Sequence, residues 1–209
     1  MTIAGVVAQP VEDKFYFAEE GKGAFLVSTI SKFDFVDSSV EAEMVTEQIT
    51  VKPLAHDEHP LKDRTVHVCL SKRAQHIEAE VGQQLVDNYD RRVQRLIDVG
   101  ALQTAQIGTD SSGALLGGTT HLDTAAGLSI AREAGAVIDT VNLQLKNKHG
   151  ALFKETVHIV GADEKHLASL LRLMAVAIQN ARKRSKTDGR NISPIGYQPQ
   201  EPRPEFRRG

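Results

Sequence analysis

Residues 119–139 constrain the fold most strongly, because they predict a helix whose first turns carry very small side chains. Leu122, Ala126 and Ile130 recur at four-residue steps, which is typical of one helix face, and Gly135 is suited to the left-handed residue that ends a helix. The small residues around Ala126 allow neighbouring backbone or a ligand to approach the first turn closely. This stretch therefore predicts a tightly packed helix.

One carboxylate stands at the start of this helix. Asp123 lies in the predicted first turn, where free backbone N–H groups and the helix dipole favour negative charge. Two interpretations follow. Asp123 belongs to a metal or phosphate site, or it is an ordinary first-turn acid and Gly127 a packing contact. The helix alone favours the second interpretation, because acids near helix starts are common.

Composition excludes several classes of protein. The chain has 209 residues, of which 41% are hydrophobic and 25% charged, as in a globular protein with a real core. A net charge of -2 argues against a partner that is a nucleic acid polymer. No apolar run approaches membrane-spanning length, so we expect no membrane partner and a cytoplasmic location. The single cysteine, Cys69, is predicted to be a buried strand thiol.

The first part of the sequence predicts an antiparallel meander. Three short apolar runs, 3–8, 14–18 and 24–28, are separated by turn residues. Residues 34–64 are mixed and acidic, and they include the run His56-Asp57-Glu58-His59. That run resembles a metal-binding set, but it lacks the helical or strand spacing that makes side chains converge, so a solvated loop is favoured.

Strands and helices alternate in the remainder. The last predicted helix begins at Asp163, and its basic residues 182–184 are interpreted as a helix C-terminus in preference to a binding patch. The tail, 186–209, is proline-rich and predicted to be disordered or loosely packed, beyond a domain of residues 1–185. The preceding elements are predicted as strands at 65–70, 93–97, 136–141 and 156–160 and helices at 74–88, 99–107 and 122–135.

Two separated segments together resemble a known family. The run Leu122-Asp123-Thr124-Ala125-Ala126-Gly127, followed by Glu133-Ala134-Gly135, is similar to the C-terminal signature of the inositol monophosphatase superfamily. Residues 15–25, Phe-Tyr-Phe-Ala-Glu-Glu-Gly-Lys-Gly-Ala-Phe, resemble that family's central hairpin. The segments 116–123 and Ser71-Lys72-Arg73 with His76 are closer to the bisphosphate nucleotidase branch. The resemblance covers residues 3 to about 180 and implies a layered α/β fold, an α+β sandwich.

The resemblance also implies a chemistry. Members hydrolyse small phosphomonoesters with Mg²⁺, so the implied cofactor is Mg²⁺ and the implied substrate is a small phosphorylated metabolite, inositol phosphate or 3′-phosphoadenosine 5′-phosphate. Asp123 matches a metal-binding aspartate of the family. Gly117 and Thr119 match positions near the substrate. The sequence assigns no catalytic residue.

The sequence departs from the family pattern in its ligands. No Asp-Pro-x-Asp-Gly-Thr motif occurs, and Leu122 replaces the usual tryptophan before Asp123. One aspartate does not hold Mg²⁺ at catalytic occupancy, because several charged ligands are needed to offset dehydration of the ion. We therefore expect the C-terminal portion of a phosphatase that is active only with a chain supplying the missing half. The alternative is a non-catalytic remnant that forms a homo-oligomer or acts as an interaction domain.

Overall fold

The chain is described here from a computed structural model. The structure describes residues 4–34, 39–89, 94–95, 104–107, 111–117, 121–146 and 151–187. These ranges contain two β-sheets and four helices arranged in layers, so the layered α+β fold is confirmed.

The first sheet, which we call the meander sheet, is antiparallel with strand order β1-β2-β3-β4. Its predicted strands are confirmed as β1, β2 and β3, whereas β4 lies in the segment that sequence reasoning left as mixed and acidic. A short 3₁₀ turn, Pro10–Glu12, joins β1 to β2. The strands are β1 Ala4–Gln9, β2 Lys14–Glu19, β3 Gly23–Asp34 and β4 Ser39–Ile49.

The second sheet, which we call the mixed sheet, has strand order β6-β5-β7-β9-β8. β5 runs parallel to β6 and β7, and β9 runs antiparallel to β7 and β8. Sequence reasoning missed β7, and β8 and β9 are longer than predicted. The strands are β5 Val66–Cys69, β6 Gln94–Arg95, β7 Gly113–Gly117, β8 Val137–Lys146 and β9 Leu152–Gly161. The helices are α1 Gln75–Tyr89, α2 described over 104–107, α3 His121–Glu133 and α4 Glu164–Thr187.

Two hydrophobic cores hold the layers together. The aliphatic core fills the space between the mixed sheet and the pair α1 and α4. The alanine-rich core lies on the opposite side of the mixed sheet. There α2 and α3 lie between the mixed sheet and the meander sheet. The order of layers is therefore the α1 and α4 pair, the mixed sheet, α2 with α3, and the meander sheet.

The end of α3 has the predicted geometry. Gly135 has a left-handed φ of 98°, its N–H donates to the Arg132 carbonyl at 3.0 Å, and the Ala136 N–H donates to the Ala131 carbonyl at 2.9 Å. These two bonds form a Schellman motif, in which glycine is favoured because it lacks a Cβ. The chain then turns directly into β8.

Three smaller expectations need comment. The Cys69 side chain is half-buried, not buried, because it lies in the short strand β5 beside the alanine-rich core. α4 continues to Thr187, past the boundary predicted at residue 185, and 188–209 lie outside the described residues. Within the described ranges, none of the helices combines the length and apolarity needed to cross a bilayer.

Candidate functional site

Two of the predicted site residues, Gly117 and Asp123, lie at the end of β7 and the start of α3. Gly117 is the last residue of β7, and Asp123 is the third residue of α3, so it stands in the first helical turn as predicted. The Asp123 side chain and all of Thr119 lie outside the described residues. The structure thus brings the end of a central strand and a helix N-terminus together in this part of the fold.

A buried carboxylate occupies the space beside Gly117. A Cβ at Gly117 would come within 2.7 Å of the Glu155 Oε1 and 3.0 Å of the Val157 Cγ2. Glu155 comes from β9 and is only 7% exposed. A larger residue here would make these side chains shift, so packing favours glycine at this strand end, whatever binds nearby.

Glu155 is anchored by the turn that follows β5. The Ser71 N–H donates to Glu155 Oε1 at 3.1 Å, and the Ser71 hydroxyl donates to Glu155 Oε2. The Ser71 carbonyl in turn accepts from the Ala74 N–H at 2.8 Å, where the chain enters α1. Because both carboxylate oxygens are engaged, Glu155 fixes the geometry between β5, β7 and β9.

Sequence reasoning singled out Ser71 but missed Glu155. The signal was present in β9, where Glu155, Val157 and Ile159 alternate along one face of the strand. An acid at an inward-facing position of a buried strand is uncommon unless it is paired. Its partner, Ser71, is 84 residues away in the sequence and gave no local pattern.

His76 lies in the first turn of α1, close to Glu155. Burial lowers the pKa of His76, and this outweighs the opposing effect of the Glu155 charge. The His76 Nε2 is buried and has no hydrogen-bond partner among the described residues. Beside it, the Arg73 guanidinium stacks 4.1 Å from the centroid of the Phe153 ring. The region around the start of α1 therefore combines the fixed carboxylate of Glu155, the neutral imidazole of His76 and the exposed guanidinium of Arg73.

The described carboxylates do not fit a Mg²⁺ site. Across the described ranges, no three His, Cys, Asp or Glu side chains are grouped so that they could hold a metal ion. Glu155 is bonded to Ser71, and a Mg²⁺ site needs several oxygen ligands in octahedral geometry. The structure places the run from His56 to His59 in a loop, where Glu58 binds Arg64 at 2.9 Å.

The basic residues near the end of α4 include a structural contact. The Arg184 Nη1 lies 2.8 Å from the Glu80 Oε1, and Glu80 on α1 is only 3% exposed. This ion pair joins the C-terminal part of α4 to the second turn of α1. It favours the helix C-terminus interpretation over a binding patch.

The helix α3 is held against the meander sheet by two close contacts. The Glu133 Oε2 accepts from the Gly21 N–H at 3.0 Å and from the Gly23 N–H at 3.2 Å, at the turn between β2 and β3. A Cβ at Gly5 in β1 would lie 2.6 Å from the Ala126 carbonyl oxygen. The small residues of α3 thus have a packing role, since they let the backbone of β1 approach the helix.

Comparisons with known proteins agree with this fold. A family model described as the inositol monophosphatase family matches residues 1–179. Comparison with curated proteins finds no match. Among solved structures, Mycobacterium tuberculosis SuhB is 22% identical with a TM-score of 0.57, and the match covers 87% of this chain and 60% of that protein.

Two further structures give the same picture of the fold. The extragenic suppressor protein SuhB from Bartonella henselae is 18% identical with a TM-score of 0.54, covering 82% of this chain and 57% of that one. The Thermotoga maritima IMPase is 20% identical with a TM-score of 0.53, covering 86% of this chain and 58% of that one. This chain therefore spans less than two thirds of the length of each of these proteins.

Proposed function

This chain belongs to the inositol monophosphatase family, and from that premise we propose that it binds a small phosphorylated metabolite where β7 leads into α3. The observation that carries the proposal is the position of Asp123 in the first turn of α3, which is the next described element after the strand end at Gly117. Free N–H groups at a helix N-terminus favour phosphate oxygens. By resemblance, the ligand is inositol phosphate or 3′-phosphoadenosine 5′-phosphate.

For the chain alone, we propose binding without hydrolysis. Asp123 supplies one of the oxygen ligands that Mg²⁺ requires, and the described side chains contain no grouped set that adds the others. Phosphomonoester hydrolysis then requires further carboxylates from another polypeptide. The proposed role of this chain within such an assembly is to supply Asp123 and the wall formed by Gly117 and Glu155.

The test separates binding from turnover. The purified chain is incubated with Mg²⁺ and either inositol 1-phosphate or 3′-phosphoadenosine 5′-phosphate, and released phosphate and bound ligand are both measured. We expect saturable binding that is strengthened by Mg²⁺, no phosphate release, and an Mg²⁺-dependent part of the binding that is weakened about 10-fold in Asp123→Asn, because the variant loses a carboxylate that favours the ion beside the phosphate. Asp87→Asn, an exposed carboxylate on α1, is the matched control and should bind normally.

The proposal has two halves, an inactive half (no hydrolysis by the chain alone) and a ligand-binding half, and a different result would contradict each. A robust Mg²⁺-dependent rate that disappears in Asp123→Asn would overturn the inactive half. Absence of binding of both compounds by the folded chain would overturn the ligand-binding half.

A specific observation favours a second role as an interaction domain. The meander sheet has an outer face, directed away from α3, that carries Val6, Phe15 and Met44 with exposed fractions of 67%, 45% and 77%. In the strand register Val6 lies opposite Phe17, and Phe17 lies opposite Phe25, with the two rings stacked at 5.0 Å. We propose that further polypeptide covers this outer face, consistent with the greater length of the relatives.

Light scattering and dye fluorescence test this role. The isolated chain should self-associate and bind a hydrophobic dye, and the double variant Val6→Lys, Phe15→Lys should reduce both signals. Val86→Lys changes an exposed apolar residue on α1 and should leave them unchanged. A monodisperse wild-type monomer without dye binding would remove the support for this interface.

A further inference from the structure

A cavity of about 210 Å³ lies between α1, α4 and the turn at residues 59–61. Its apolar floor includes Leu61, Leu173 and the ring of Tyr89, and its rim includes His59, Gln84 and Arg172. Leu61 and Leu173 are 3% and 5% exposed, so the floor is continuous with the aliphatic core. The cavity is therefore an opening into a rigid part of the molecule.

Arg172 is the one permanently charged side chain among the described residues that line the cavity, and none of these described lining residues is an aspartate or glutamate. Within the described residues, the Arg172 guanidinium has no hydrogen-bond or ion-pair partner. An exposed guanidinium beside an apolar floor, with no carboxylate among the described lining residues, is suited to an anion.

Two aromatic rings that line the cavity, those of His59 and Tyr89, are already held in position by contacts within the protein. The His59 Nδ1 accepts from the Leu61 N–H at 3.2 Å, which places the proton of the neutral ring on Nε2 as a donor. The His59 ring lies 5.1 Å from the Tyr89 ring, tilted by 39°. Such tilted pairs are a favourable aromatic arrangement, so the wall suits a planar apolar group.

This cavity is separate from the proposed phosphate site. Tyr89 is the last residue of α1, whose first turn lies beside Ser71 and Glu155. A 15-residue helix is about 22 Å long, since each residue advances the chain by about 1.5 Å. The cavity therefore lies near the opposite end of the helix, and its occupant does not touch Gly117 or α3.

We propose that this cavity binds a small organic carboxylate with a planar apolar body. The carboxylate pairs with Arg172, and the apolar body lies over Leu61 and Leu173 beside the two rings. The cavity is smaller than the sites of about 300–1,000 Å³ that hold drug-sized molecules, which limits the ligand to a compact acid.

Benzoate is the probe. The ¹⁵N-labelled 209-residue chain is titrated at constant ionic strength, and amide shifts are followed by two-dimensional NMR. We expect saturable shifts at the amides of Ser169, Arg172 and Leu173. Benzamide, which has the same shape without the charge, should bind about 10-fold more weakly, because it lacks the charge-assisted pair.

Matched arginine variants complete the test. Arg172→Gln should weaken benzoate binding about 10-fold while leaving the remaining amide spectrum unchanged. Arg132→Gln removes an exposed arginine on α3, across the mixed sheet, and should bind benzoate like the wild type. The proposal is overturned if benzoate shifts do not saturate, if they spread over unrelated basic side chains, or if Arg172→Gln binds as tightly as the wild type.

Discussion

The two cores on either side of the mixed sheet are built from side chains of different sizes. The aliphatic core contains the large, fully buried residues Leu85, Leu170 and Met174, whereas the alanine-rich core contains many alanines, among them Ala24, Ala105 and Ala131. Large side chains set a wide spacing between α4 and the sheet. Small ones let α3 come so close to β1 that a Cβ at Gly5 would meet a backbone oxygen.

This difference predicts two ways in which the cores lose stability. Removing atoms from the aliphatic core leaves a cavity, because the surrounding layers are fixed by their neighbours. Adding atoms to the contact between α3 and β1 forces two backbones apart, because no flexible side chain is present there to move. The predictions below compare these two responses.

The largest effect is expected for Leu170→Ala. Leu170 is fully buried in the aliphatic core, so the substitution should lower the free energy of unfolding by about 3.5 kcal/mol. Urea denaturation measures the change. Leu152→Ala on β9, where the side chain is 54% exposed, should cost less than about 0.5 kcal/mol. Equal losses in the two variants would contradict a packed aliphatic core.

The second expected effect is a dependence of folding stability on pH, which arises from His166 on the α4 side of the mixed sheet. His166 is fully buried, and its Nδ1 accepts from the Ala162 N–H at 3.3 Å. Burial lowers the pKa of His166 to about 4, against the opposing charge of Asp163, while Arg64 lowers it further. A second proton would have to bind Nδ1 and displace that N–H.

The sign of this effect follows from proton binding. Between pH 6.5 and 4, the unfolded histidine binds a proton that the folded one excludes, so stability falls as the pH falls. The lowered pKa of Asp163 acts in the same direction. We expect a loss of about 2.5 kcal/mol from His166 between pH 7.5 and 4.5, measured by urea denaturation. The slope should shrink in His166→Gln, and an unchanged slope would exclude His166 as its source.

The third effect tests the alanine-rich side. Gly5→Ala should lower the free energy of unfolding by about 2 kcal/mol, because the added Cβ would lie 2.6 Å from the Ala126 carbonyl oxygen. Val6→Ala, at the exposed neighbouring position, should change it by less than about 0.5 kcal/mol in the isolated chain. Thermal and urea unfolding both report this difference. A neutral Gly5→Ala variant would show that α3 and β1 separate without cost.

The smallest effect concerns the contact between α3 and the hairpin. Glu133→Gln keeps an oxygen acceptor for the Gly21 and Gly23 N–H groups but removes its charge, so we expect a loss of about 1 kcal/mol. Hydrogen exchange at these two amides should accelerate. Glu12→Gln, at the other end of β2, is the control and should leave the exchange at Gly21 unchanged.

Structural features that depend on the residues of one segment could be predicted from the sequence. The end of α3 at Gly135 and the start of the last helix at Asp163 follow from local signals, and the structure has the left-handed Gly135 and a helix α4 that begins at Glu164. β4 was missed although Val40, Ala42 and Met44 alternate with Glu41 and Glu43, a pattern that is typical of a strand. β7 was missed because it is covered on both faces and shows no alternation.

The candidate site was predicted only in its local part. Asp123 could be placed near a helix start from local spacing, whereas Gly117 was singled out only by the family resemblance and its strand was missed. The bond between Ser71 and Glu155 joins distant segments and follows from the pairing of three strands. A contact between distant segments produces no pattern in the spacing of neighbouring residues, so the sequence did not predict it.

The contact made by Glu133 has a consequence during synthesis. The hairpin of β2 and β3 is complete early in the chain, but the acceptor for its Gly23 amide lies 110 residues later. At about 5–20 residues per second, a ribosome takes about 5–20 s to reach it. Throughout that interval the inner face of the nascent meander sheet lacks α3. The emerging chain should therefore be a client for chaperones that bind exposed apolar strands.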